Sequence, residues 1–296
     1  MQSVDGSPRS VIPRTRTARR QFVFGGVAFE VLADKTLRWE LPADYERHVI
    51  EPGSTAVFAD VICSVSVERG LPPIAALPCD VPCFRRCQER TEIFSADVRA
   101  DLSRVAASRY AAAARVTPGT EGLSAMLLGV ASAIATVEGG VCLRAAGLEF
   151  AGHAVLLLGP NAADVAAAAN ASAPAQLFCA QRVNLVWQTE RWIAQSLPGR
   201  ATSSLPASSQ LSLPLAAVVR VMPGAKTPKL TPIDVSARGL WLQHAVELSD
   251  ATADAEQARA ERITRICHAI GMFELHWATG KPIGALLRSA VPTATG

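Results

Sequence analysis

At 296 residues, with 49% hydrophobic and 19% charged side chains, the chain can bury one large core or two smaller ones. Only 5% is aromatic, so strands and helices must be read from clusters of Val, Ile and Leu. The net charge of +3 is too small to argue for nucleic acid over the whole chain, and no uncharged run is long and apolar enough to span a bilayer.

Residues 1–20 are polar, carry Arg9, Arg14, Arg16, Arg19 and Arg20, and lack the apolar segment of a secretory signal. They read as a disordered basic tail on a cytoplasmic protein. Residues 21–31 alternate loosely around Gly25-Gly26, which predicts a hairpin, and residues 56–67 give two short strand runs. Between them, residues 34–51 carry charges with Pro42 and read as a loop. A β-rich lobe is therefore expected over residues 21–94.

The periodicity of Val98, Leu102 and Val105, extended by Ala106 and Ala113, predicts a helix ending near Val116. A second, nearly apolar helix follows from Leu123, Leu127, Val130, Ile134 and Val137, and must be buried. Strands are then expected at 148–150, 153–158 and 176–179, with an alanine-rich helix reaching Asn170. A hairpin around residues 188–191, a mobile Ser/Pro/Ala loop at 201–213 and a strand at 215–222 come next. Helices at 235–246 and 256–272, a strand at 274–277 and a short helix at 282–287 close an α/β core spanning 95–296.

The strand at 153–158 leaves through Gly159-Pro160, the setting in which a phosphate-binding P-loop sits. The pattern G-x-x-x-x-G-K-[ST] started at Gly159 puts Asp164, Val165 and Ala166 where glycine, lysine and a hydroxyl residue belong. Glycine lets backbone N–H groups curl around phosphate, lysine neutralises its oxygens and the hydroxyl ligates Mg²⁺. Asp164 instead brings negative charge, worth a repulsion of roughly 4 kcal/mol at about 4 Å and an effective dielectric near 20. Val165 and Ala166 are expected to fill the vacated cleft.

No other catalytic set stands out. His48, His153, His244, His268 and His276 form no metal-binding or zincin spacing, and Gly122-Leu-Ser124-Ala-Met is not a nucleophile elbow. Cys79, Cys83 and Cys87 follow a C-x₃-C-x₃-C spacing with no fourth ligand nearby, so neither a metal nor any other cofactor is expected. Nearby arginines could make Cys83 and Cys87 oxidisable.

Several stretches together resemble the HPr serine kinase/phosphorylase-like family, in particular its short bacterial members. They are Gly140-Val-Cys-Leu-Arg-Ala-Ala, Gly152-His-Ala-Val-Leu-Leu-Leu-Gly-Pro, Gln181-Arg-Val-Asn-Leu-Val, Leu197-Pro-Gly and Pro214-Leu-Ala-Ala-Val-Val-Arg-Val. The resemblance implies an HPr-kinase-like α/β core, of the PEP-carboxykinase-like P-loop type, behind a small β-rich N-terminal lobe. It also implies a degenerate nucleotide site at Gly159, Asp164, Val165, Ala166, Ala180 and Gln181. The family's histidine is matched by Arg144, and its acidic pair by Ala180-Gln181.

A pseudokinase is the reading that follows: a scaffold without the chemistry, acting through a protein partner. Candidate interaction residues are Arg14, Arg16, Arg19 and Arg20 in the tail and Arg85 and Arg86 beside the cysteines, together with the loop 201–213. Two alternatives stay open. One is a divergent nucleotide-binding kinase using Arg144, Arg182, Lys226 or Lys229 in place of the lost lysine. The other is an architectural subunit of an oligomer, with the apolar 123–137 helix or the C-terminal helices at its interface. Contact of the tail with nucleic acid or membrane is not expected.

Overall fold

A computed structural model describes residues 17–34, 41–50, 59, 61–70, 83–87, 89–117, 120–169, 175–199, 208–246, 253–277 and 281–291. The chain opens with a hairpin of β1 (Thr17–Phe24) and β2 (Val27–Asp34). Gly25 and Gly26 at its turn have φ of 57° and 76°, the left-handed values that a two-residue hairpin turn demands. Arg19 and Arg20 thus lie in a paired strand, not in a disordered tail.

A 3₁₀ turn at Ala43–His48 follows, then β3 (Val61–Arg69), β4 (Cys83–Cys87), β5 (Arg90–Phe94), β6 (Val98–Ala106) and β7 (Arg109–Val116). Among the described residues these form a seven-stranded sheet in the order β1-β2-β3-β7-β6-β5-β4. Strands β2, β3 and β7 run parallel, and the other pairings are antiparallel.

The helix expected over 97–116 is therefore a hairpin, and the first sheet runs on to Val116. Val98, Ala100 and Leu102 point into the core with Tyr110, Ala112, Ala114 and Val116, while Asp101, Ala113 and Arg115 face solvent. That is a period of two. Val105, which completed the apparent helical stripe, is 62% exposed. Alanine fits either period, so the run at 111–114 could not decide between them.

Helix α1 (Thr120–Val137) packs Leu123, Met126, Leu127, Val130 and Ile134 against the inner face of this sheet. Cys142 and Leu197, from the second half of the chain, close the same core. This helix is an internal layer of the chain, so its apolar side chains are not an oligomer interface.

The second half contains β8 (Val141–Arg144), β9 (Ala146–Phe150), β10 (His153–Leu158), α2 (Ala162–Ala169), β11 (Gln176–Cys179), β12 (Arg182–Gln188) and β13 (Arg191–Ser196). It continues through β14 (Ser212–Pro223), β15 (Lys229–Pro232), α3 (Val235–Ala245), α4 (Ala253–Ala269), β16 (Gly271–Trp277) and α5 (Gly284–Ser289). Its strands form a nine-stranded sheet with the path β11-β9-β10-β14-β13-β12-β8, and β16 joins β14 and β15 beside it. Val155 and Leu157 pack on the α2/α5 side, while Ala154, Leu156 and Leu158 pack on the α3/α4 side. Burial on both faces is why β10 reads as an unbroken apolar run. The whole is a mixed α/β fold with two sheets. No helix among the described residues is long and apolar enough to cross a membrane.

The two sheets are joined at the first hairpin. The Gly25 N–H donates to Ser196 O at 2.9 Å, and a Cβ on Gly26 would stand 2.1 Å from Gln195 Nε2. Arg47 donates to Phe178 O at 3.3 Å and to Ser196 Oγ at 3.0 Å. Its Nε also donates to His48 Nε2 at 3.2 Å, which leaves His48 Nδ1–H to donate to Val23 O at 3.0 Å. Burial, and then the Arg47 charge, lower the His48 pKa from 6.5 to about 4, against the Val23 hydrogen bond.

His48 should therefore make folding pH-dependent. Its folded-state pKa lies below its unfolded value, so stability is fully present above pH 6.5 and is lost as pH falls towards 4. The loss should be of order 3 kcal/mol. Urea denaturation across this range should show the decline in the native protein and a shallower one in His48→Gln.

Candidate functional site

Strand β10 brings five buried apolar residues to the exit turn at Gly159, whose φ of 120° lies in the left-handed region. A Cβ there would sit 3.3 Å from Val221 O on the neighbouring β14, so glycine serves both the turn and the close approach. The turn is short. The Ala162 N–H already donates to Gly159 O and the Val165 N–H to Asn161 O, and α2 begins at Ala162.

This early helix start decides the fate of the P-loop positions. Asp164, Val165 and Ala166 all lie within α2. Val165 and Ala166 are buried at 0% and 1% exposure, packed among the apolar residues beneath the helix. They do not fill the cleft as expected, because they point into the core. Asp164 is exposed in the first turn of α2 and is not among the residues lining the cleft.

The cleft itself is open, with a volume of about 890 Å³. Gly159, Ala180 and Gln181 line it, together with Arg144, Arg182, Arg220, Trp241 and His244. Ala180 and Gln181 form the bend between β11 and β12, and Gln181 O accepts from the Ala145 N–H at 2.9 Å. Arg144 and Arg182 are direct cross-strand partners in the β8/β12 pair. Arg220 stands on β14 with its guanidinium carbon 4.1 Å from the centre of the Trp241 ring, a cation–π contact. Its Nη1 lies 3.6 Å from Glu274 Oε1, and the other oxygen of Glu274 is 3.3 Å from His276 Nε2.

Among the described residues lining the cleft none carries a carboxylate, so the lining offers arginines and amides but no acidic ligand for Mg²⁺. No three His, Cys, Asp or Glu side chains among the described residues come together to hold a metal. Of the four cations weighed as lysine replacements, Arg144 and Arg182 line the cleft, whereas Lys226 and Lys229 do not.

Sequence reading missed Arg220, Trp241 and His244. Arg220 had a signal: it is the one charge in the strand β14. Trp241 and His244 share a face of α3, and nothing in their local spacing points to β8 or β12.

The interaction candidates scatter. Arg14 and Arg16, Cys79 and most of the loop at 201–213 lie outside the described residues. Arg19 pairs with Glu30 at 2.9 Å, and Arg85 pairs with Glu92 at 2.8 Å across β4 and β5. The hydrogen bond between Arg85 and Glu92 raises the arginine pKa and holds the carboxyl below its usual range. Arg86 and Cys87 are exposed on β4, and Cys83 is half-buried. Burial pushes the core thiol of Cys63 up to about 12.

No family model and no curated protein matches this chain. Among solved structures it is similar to the Hpr(Ser) kinase/phosphatase from Coxiella burnetii, at 11% identity and a TM-score of 0.28, over 50% of this chain and 87% of that one. So slight a likeness assigns neither fold nor activity.

Because Val165 faces the core, placing a lysine there should not create a phosphate site. Val165→Lys should destabilise the protein by roughly 3 kcal/mol or more, since an ammonium would be buried without a partner. Asp164→Lys, on the exposed side of α2, should cost less than about 1 kcal/mol. Chemical denaturation of the two variants makes the comparison.

Proposed function

We propose that this chain is a degenerate HPr-kinase-like protein that has lost phosphoryl transfer and acts by binding, as a regulatory, adaptor or scaffold component. The observation that carries this reading is the start of α2 at Ala162, which turns the P-loop positions into helix and sends Val165 and Ala166 into the core. Phosphoryl transfer works by positioning and charge neutralisation, so it depends on a phosphate cradle, a lysine and a liganded metal. Among the described residues, a turn from Gly159 to Asn161 and a cleft lining with neither lysine nor carboxylate offer none of the three.

One observation favours a second reading. Arg144 and Arg182 line the cleft, where guanidinium groups could grip phosphate in place of lysine. A divergent kinase of this kind would still need acidic metal ligands from elsewhere.

Calorimetry with ATP and GTP, with and without Mg²⁺, separates the two. The binding role predicts no Mg²⁺-dependent affinity up to millimolar nucleotide and no transfer of the γ-phosphoryl group. Micromolar Mg²⁺-dependent binding, or ATP-dependent labelling of a protein lost in Arg182→Ala, would establish the enzyme instead.

A further inference from the structure

We propose that the groove between α5 and the start of β16 is a binding site for a medium-chain fatty carboxylate, with Arg288 taking the carboxylate and Ala216, Gly271 and Phe273 the chain. The groove has a volume of about 680 Å³ and shares no described lining residue with the cleft at Gly159, so this site goes beyond the binding role given above. An irregularity in β14 lies on its wall. Along the β10/β14 pair, Ala154 stands opposite Leu215 but Val155 stands opposite Ala217. Ala216 is thus the extra residue of a β-bulge. It has no register partner on β10, β13 or β16, because the β16 ladder begins with Gly271 opposite Ala217.

The rest of the wall is apolar. Phe273 is half-buried on β16, and Ala285 and Ala290 come from α5 and the residue after it. A Cβ on Gly271 would stand 3.1 Å from Phe273 Cε2, so glycine lets the phenyl ring lie close over the strand start. Small residues at 216, 271, 285 and 290 keep the trough wide. Such a trough suits a flexible aliphatic chain, which gains from each methylene removed from water.

Among the described residues lining the groove, Arg288 is the one charged side chain. It is exposed on α5 and has no ion pair or side-chain hydrogen bond among the described residues. The neighbouring Ser289 hydroxyl already donates to Leu286 O at 2.7 Å, so an anionic head group falls to Arg288. A single guanidinium matches a single carboxylate, whose paired oxygens accept its forked donors. A phosphate or a dicarboxylate would leave charge unanswered here. The aliphatic stem of Arg288 extends the apolar surface towards the chain.

Titration calorimetry on the full chain at low salt, with octanoate, butanoate and octylammonium, tests this. Octanoate should bind with a Kd below about 1 mM, butanoate at least about tenfold more weakly, and octylammonium not at all in that range. Arg288→Gln should weaken octanoate about tenfold. Ala285→Leu, which narrows the groove, should weaken it at least about threefold. Arg115→Gln, on the first sheet, should leave it unchanged.

Residues 285 and 288 are both exposed on α5, and thermal unfolding at the native temperature in both variants would show that the losses are local. If octanoate does not bind, if butanoate or octylammonium binds as tightly, or if either groove variant keeps full affinity, the inference is overturned.

Discussion

Strand β14 is the element on which both halves of the architecture depend. Its first residues, Ser212 to Pro214, pair with β13, while its remainder is flanked in parallel by β10 and β16. The β13 end presents Gln195 and Ser196 to the Gly25-Gly26 turn, and so fixes the first sheet to the second. The β10 end sets Leu158 beside Arg220, and thereby holds the Gly159 turn at the rim of the cleft. A shift in the register of this strand would move the docking surface and the cleft together.

The cleft beside the Gly159 turn differs from a phosphate-binding loop for a reason of packing. In a P-loop, the segment after the first glycine wraps the ligand before the helix starts. Here the helix starts early, and the side chains that take the lysine and hydroxyl positions belong to a close-packed alanine-rich core. The space above the turn forms the cleft. Arginines from β8, β12 and β14 border that space, and no lining residue described here is acidic. Polar and apolar groups thus meet in one concave surface, the usual composition of a ligand site.

Much of the second half was legible in the sequence because its strands are buried on both faces. Residues 154–158 and 215–222 read as apolar runs, and Gly159-Pro160 marked the turn. Hairpins with glycine or charged tips, at 25–26 and 188–191, were equally clear. The pair β6 and β7 was not, because alanine carries little preference in a pattern and Val98, Leu102 and Val105 satisfy a helical spacing by coincidence. Of the cleft lining, Gly159 was read from the turn itself, whereas Ala180 and Gln181 came only with the resemblance. Arg220, Trp241 and His244 reach it from separate elements, and convergence of that kind leaves no mark on local spacing. The direction of Val165 was hidden too, since one residue's difference in where a helix begins rotates its side chains by about 100°.

The central claim is an open cleft lined by Arg144, Arg182 and Arg220 with Trp241 at its wall, and collisional quenching tests it most directly. Comparison of the native protein with Trp241→Phe isolates the fluorescence of that residue. Fixed positive charge concentrates anions and excludes cations from a concave site, so iodide should quench Trp241 several-fold more steeply than caesium at matched low ionic strength, and added salt should narrow the difference. Equal quenching by the two ions, or stronger quenching by caesium, would contradict the account.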